Sequence, residues 1–208
     1  IYAFLITLRD QVTHYPAAVV NFENSFRHVF GAKYSVSFAN GTSSLEAAMF
    51  AAKVKTGDEV ILPSYSFHSG AAAILGAGAK PIYIDNHEES LSPSIEDYLK
   101  MINKNTKAIL ILHPWGYPYD FRELIDTCRK KQIKIIEDCS HSHGSKIDNQ
   151  FVGTFGDIGC FSLQGYKSIS AGEGGICITN QKHLCERLKL FGHFGRDYDG
   201  DNKNISVT

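Results

Sequence analysis

Residues 134–175 read KIIEDCSHSHGSKIDNQFVGTFGDIGCFSLQGYKSISAGEGG, and their reading decides the fold. A short apolar run, Ile133 to Ile136, ends in two carboxylates, Glu137 and Asp138. A buried strand ending this way delivers a charge to the carboxyl edge of an α/β sheet, where ligand crevices open. Neighbouring side chains of an extended strand face opposite ways, so only one of the two carboxylates is expected to serve such a crevice. A polar, His-bearing turn follows, then a Gly-punctuated segment with Ser162 and a lone Lys167. A Lys after a strand, embedded among Gly and Ser, is a candidate Schiff-base nucleophile.

Working outward, the same alternation repeats. SVSFA (35–39), EVILP (59–63), KPIYIDN (80–86), TKAILILHPWG (106–116), IKIIED (133–138), DIGCFSL (157–163) and GGICITN (174–180) read as strands. The last two are expected to pair. Helices are expected at TSSLEAAMFAAKV, in the small-residue run after Phe67, at the N-capped SPSIEDYLKMI, and at YDFRELIDTCRKKQ and QKHLCERLKLF. Residues 1–34 read as helix, with Phe22, Phe26, Val29 and Phe30 at helical spacing and Gly31 as its end. The tail from Gly192 reads as loop. Strands alternating with helices predict one α/β domain with a mostly parallel sheet covered on both faces.

The junction at Asn40-Gly41-Thr42-Ser43 joins a strand, a Gly and a helix opened by hydroxyl residues. Such a junction offers free backbone N–H groups and the positive end of a helix dipole to a phosphate. Read alone, an ordinary N-cap is the plainer account. Phe67 falls just past the end of a strand, where a ring can stack on a flat ligand or belong to the core. Pyridoxal phosphate needs a Lys for its aldehyde, an anion to keep its pyridine nitrogen protonated, and donors for its phosphate. Lys167, Glu137 or Asp138, and the 41–43 junction supply those types.

The totals narrow the classes. The chain has 208 residues and a net charge of −1, which gives no electrostatic argument for nucleic acid or an anionic membrane. No apolar run approaches the roughly 18 residues of a membrane-spanning helix. The opening IYAFLITL lacks the basic start of a signal peptide and reads as helix or core. Five cysteines without a CxxC pair favour reduced thiols and a cytoplasmic protein. Cys139, His141 and His143 alternate, but that spacing is not one of the usual metal-ligand patterns, and no metal is expected. No G-x-G-x-x-G follows the first strand, which speaks against a dinucleotide-binding enzyme.

EDCSHSHG, GTFGDIGCFSLQGYK and SAGEGG together resemble the signature of the DegT/DnrJ/StrS sugar aminotransferases. The likeness runs from about Phe22 to about Arg196. It implies the three-layer αβα large domain of fold-type-I pyridoxal phosphate enzymes. In the roles it implies, Lys167 is the Schiff-base lysine and Asp138, rather than Glu137, is the pyridinium partner. His141 contacts the ring-oxygen side, Ser162 with Gly41, Thr42 and Ser43 holds phosphate, and Phe67 stacks on the ring. It further implies an amino-acid donor, a keto-sugar or keto-cyclitol acceptor, a homodimer, and a second, C-terminal domain beyond these residues. A family variant with His in place of the Lys eliminates water instead, and Lys167 argues against that chemistry. HPWGYPYDF departs from the pattern in being more aromatic, and Trp115 and Tyr117 are open to a role in the substrate pocket or in packing. A cofactor-binding but non-catalytic protein is the alternative.

Overall fold

The computed structural model describes residues 17–192; the apolar opening segment and nearly all of the Gly-rich tail lie outside them. A seven-stranded sheet forms the middle layer. Its strands are β1 (Tyr34–Phe38), β2 (Glu59–Pro63), β3 (Lys80–Ile84), β4 (Thr106–Leu112), β5 (Lys134–Asp138), β8 (Ile158–Ser162) and β9 (Gly175–Thr179). A small hairpin of β6 (Lys146–Ile147) and β7 (Gln150–Phe151) stands apart from it. The strand order is β1-β9-β8-β5-β4-β2-β3. From β3 to β8 all neighbours are parallel. Strand β9 runs antiparallel to both β8 and β1, so it alone is reversed within this sheet. The expected pairing of the last two strands is therefore present.

The helices are α1 (Ala17–Phe30), α2 (Gly41–Ala51), α3 (His68–Gly76), α4 (Ile95–Met101), α5 (Arg122–Lys131) and α6 (Lys182–Gly192). Alternation along the strands sorts them into two layers. Ile136, Ile158, Cys160 and Cys177 point to one face and pack with residues of α2, α3 and α6. Ile135, Ile109 and Ile111 point to the other, against α4 and α5. On that second face Phe161, Ile176 and Ile178 meet Phe26 and Phe30 of α1. The predicted three-layer αβα architecture is what the chain adopts.

Helix α1 shows how local chemistry sets a boundary. Phe26 and Phe30 stack at 4.4 Å and both meet Phe161. Burying rings of this size contributes about 2 kcal/mol each. Gly31, at φ +70, ends the helix, with Ala32 N–H donating to Arg27 O and Gly31 N–H to His28 O. That is a Schellman closure, which needs the left-handed backbone glycine tolerates. Val29 differs from its expected place in the apolar stripe: it is exposed. It sits about 100° around the helix from Phe30, outside the arc that the four-residue spacing of the phenylalanines occupies.

Two further differences have local causes. The strand expected to carry His113 and Trp115 stops at Leu112, because Pro114 lacks the N–H a ladder needs. A tight turn over Pro114–Gly116 replaces it. The β6–β7 hairpin was not expected; Asp148 and Asn149 at its tip both have positive φ, 46 and 67. Those values are the pattern of a two-residue hairpin turn, for which Asp and Asn are suited.

Candidate active site

The carboxyl ends of β1, β2, β4, β5 and β8 open on one edge of the sheet, and the reversed β9 starts there. A cavity of about 570 Å³ lies at this edge. Its lining draws on the segments that follow those strands: Gly41 and Thr42, Phe67, Asp138 and His141, and Ser162 and Lys167. These are residues singled out in the sequence, and the topology brings them to one place. Ser43 is not among the lining residues; its N–H is taken by the Asn40 side chain at 2.8 Å. His68, exposed beside Phe67, does not line the cavity either.

Asp138 and Glu137 part company as strand geometry requires. Asp138 is 5% exposed and faces the cavity. Among the described residues its carboxylate accepts one hydrogen bond, from Ser140 N–H to Oδ1 at 3.0 Å, which leaves Oδ2 for a ligand. Glu137 is fully buried on the opposite face. Its Oε1 accepts the Phe155 and Gly156 N–H groups, and its Oε2 accepts Gly153 N–H and His113 Nε2–H. The Tyr119 N–H donates to His113 Nδ1 at 2.9 Å, which puts the ring proton on Nε2. The His113 backbone holds the other carboxylate's strand too, its N–H donating to Asp138 O.

Across the cavity, α2 begins at Gly41 with Asn40 as its N-cap. The Gly41 and Thr42 N–H groups have no hydrogen-bond partner among the described residues and are the orphan donors of a helix start. A Cβ on Gly41 would lie 2.7 Å from Ser162 Cβ, so the helix start and the end of β8 touch. A phosphate-sized anion there would meet backbone donors, the helix dipole and the Ser162 hydroxyl together. Phe67 is 60% exposed at the start of α3, with its ring over the cavity and tilted against His68. An exposed ring beside a cavity is available for stacking, which a core phenylalanine is not.

His141 is held below the ordinary histidine value, by burial first and then by the Lys167 cation, while Asp138 pulls the other way. His143 is likewise lowered, mainly by burial. Among the described residues neither of its ring nitrogens has a hydrogen-bond partner; the Ser162 carbonyl lies near enough to offset part of the shift without a bond of good geometry. Cys139 is fully buried, its thiol directed to the Glu137 carbonyl. Among the described residues the metal-ligand atoms that do cluster belong to His113, Glu137 and Cys139, and both oxygens of Glu137 are already engaged by N–H donors.

Ser69, Leu112, Ser140, Gln164, Tyr166 and Glu173 also line the cavity. Sequence reading passed over most of them. Their one common signal is position: each lies within a few residues of a strand end at the carboxyl edge.

A profile of the family described as DegT/DnrJ/EryC1/StrS aminotransferase matches residues 6–207. The chain is 38% identical over 173 residues to GDP-perosamine synthase of Escherichia coli O157:H7, covering 83% of the chain and 48% of that protein. It is 34% identical over 177 residues to the L-glutamine:scyllo-inosose aminotransferase of Streptomyces griseus, covering 84% and 41%. Its fold superposes on the aminotransferase TlmJ of Streptoalloteichus hindustanus with a TM-score of 0.79 at 33% identity, covering 83% and 48%. The chain thus spans about half the length of the curated relatives it matches.

Proposed function

The chain belongs to the DegT/DnrJ/EryC1/StrS aminotransferase family, and on that premise we propose that it is the cofactor-binding large domain of a pyridoxal phosphate-dependent aminotransferase. The observation that carries this reading is the cavity in which Lys167, Asp138, His141, Phe67, Ser162, Gly41 and Thr42 converge. Its donor set suits the cofactor: an amine, a buried carboxylate with a free oxygen, an exposed ring, and unpartnered N–H groups at a helix start. Bound there, pyridoxal phosphate supplies an aldehyde that captures amines and a protonated ring that withdraws electrons from the adjoining carbon.

The chain's own residues then have separable tasks. Asp138 keeps the ring nitrogen protonated, because an opposite charge beside it favours the cationic form. Gly41, Thr42 and Ser162 hold the phosphate, with Ser43 farther back in the same helix turn. Phe67 covers one ring face, and His141 meets the ring-oxygen side. Lys167 would be the amine that holds the aldehyde, and its Nζ, when not so engaged, would take and return a proton at the substrate carbon.

The amino donor is glutamate or glutamine and the acceptor a nucleotide-linked keto-sugar or a keto-cyclitol. The names of the E. coli and Streptomyces relatives support this range. A homodimer and a smaller C-terminal domain completing the site belong to the same proposal; relatives about twice as long support the added domain. Among the described residues no helix is long and apolar enough to cross a membrane. Among the described residues the five cysteines are buried and joined in no disulfide, in keeping with a cytoplasmic location. The decisive test is the visible absorption of purified protein with added pyridoxal phosphate, followed by glutamate. A band that Lys167→Ala abolishes and glutamate discharges is expected. No band sinks the cofactor reading; a band that no amino donor discharges leaves a binding protein without transfer.

A further inference from the structure

We propose that Trp115 is a positioning residue that fixes the imidazole of His141, leaving one face of that ring to the ligand; this rests on the cofactor reading of the cavity. Trp115 is not among the lining residues, whereas His141 is. The indole lies behind the imidazole, stacked at 5.3 Å with 21° between planes. Its Nε1–H donates to the Tyr65 hydroxyl at 3.2 Å. The stack therefore ties together three loops, those after β2, β4 and β5.

The backbone is arranged for this at some expense. Trp115 has φ 54 and ψ 19, a left-handed conformation that a bulky side chain rarely adopts. Gly116 follows at φ 90, a backbone that favours glycine, and it packs beside the His141 carbonyl, where a Cβ would sit in ordinary contact at 3.4 Å. Bonds on either side hold the turn in place. Ser142 Oγ–H donates to His113 O, Ser145 Oγ–H donates to Gly116 O, and Tyr117 N–H donates to Pro114 O. The 113–117 and 140–145 loops are thus fastened at both ends, with the Trp–His stack between the fastenings. Core packing does not account for the strain, since Trp115 is 65% exposed. An outlier held this firmly beside a cavity points to function. Without the indole, His141 is free to turn in a wide mouth and loses its fixed approach to the ligand.

The test uses the full chain. Ring-proton resonances of His141 are recorded without cofactor, and pyridoxal phosphate affinity is measured by titration, for the wild type, Trp115→Leu, Trp115→Phe and Tyr65→Phe. In the wild type the indole ring current is expected to displace the His141 signals upfield. Trp115→Leu abolishes that displacement and weakens cofactor binding by about three- to ten-fold, the fold-change that an aromatic pair's preference corresponds to. Trp115→Phe restores most of both, and Tyr65→Phe shifts the resonances in the same direction by less. A Trp115→Leu protein with unmoved His141 signals, or with wild-type affinity, overturns the proposal. The chain has a single tryptophan, so indole emission gives an independent check: His141→Leu must change it. A wild type that takes up no pyridoxal phosphate refutes the cofactor reading, while the resonances, read without cofactor, still decide whether Trp115 holds His141.

Discussion

Replacing Glu137 by Gln tests the division of labour between the two adjacent carboxylates. Four donors converge on Glu137: Phe155 N–H at 2.9 Å and Gly156 N–H at 2.6 Å on Oε1, and Gly153 N–H at 2.7 Å and His113 Nε2–H at 3.2 Å on Oε2. An amide has one oxygen. It can serve one pair, but its NH2 then confronts the other pair, donor against donor. His113 cannot relieve this by moving its proton, because its Nδ1 already accepts the Tyr119 N–H. Two charge-assisted bonds are lost and their donors stay buried, at about 1.5–2.5 kcal/mol each, so Glu137→Gln is expected to cost about 3–5 kcal/mol. The neighbouring change, Asp138→Asn, keeps the single Ser140 bond through Oδ1 and otherwise faces a cavity. Its stability effect should stay within about 0.5 kcal/mol, while glutamate discharges the visible band of the cofactor-loaded protein far more slowly. Urea unfolding followed by far-UV circular dichroism reads both: a lower midpoint at unchanged slope for Glu137→Gln, and an unmoved midpoint for Asp138→Asn. Glu137→Gln within about 1 kcal/mol of wild type would refute the reasoning, since such a loss is that of a solvated side chain. So would an Asp138→Asn protein as unstable as its neighbour.

Gly41→Ala should weaken phosphate-dependent binding and cost about 1–3 kcal/mol, because its Cβ would stand 2.7 Å from Ser162 Cβ. Helix propensity alone predicts the opposite sign, a gain of about 0.5–1 kcal/mol, so a urea midpoint that rises would remove the close contact from the account. His141 and His143 are both held below the ordinary value of 6.5, so the folded state prefers neutral rings and the unfolded chain binds more protons in acid. Their contribution is complete above 6.5 and is lost as pH falls from there through their folded values. Urea midpoints measured across that window should fall less steeply for the double variant His141→Asn/His143→Asn, and equal slopes would contradict the assignment. Tyr98 is fully buried, and among the described residues its hydroxyl has no hydrogen-bond partner. Tyr98→Phe should leave thermal stability unchanged or raise it by about 1 kcal/mol; a clear loss would reveal a hidden partner.

Much of this protein is written locally. Apolar runs between Gly, Pro and Asp marked the sheet strands, because burial and chain breaking act over a few residues. EVILP matches β2 residue for residue, and Gly31 ends α1 as its tolerance of positive φ demands. The period-two geometry of a strand already required Glu137 and Asp138 to face opposite ways, and Asn40-Gly41-Thr42 announced a helix start. What local sequence could not reveal was which carboxylate faces the cavity. That depends on which face of β5 receives α5 and the 153–156 loop, and so on the packing of the whole sheet.

The tertiary structure decided everything that joins distant residues. His113 lies 24 positions from the carboxylate it serves, and Trp115 lies 50 from the Tyr65 hydroxyl it binds. Neither partner can be read from the other's neighbourhood. Gly41 touches Ser162 because β1 and β8 flank the reversed β9, an arrangement set by strand pairing across the chain. Local sequence determines the elements because backbone conformation responds to nearby side chains. The site is settled only by the register of parallel strands, which carries the ends of β1, β2, β4, β5 and β8 to one edge and leaves a cavity among them.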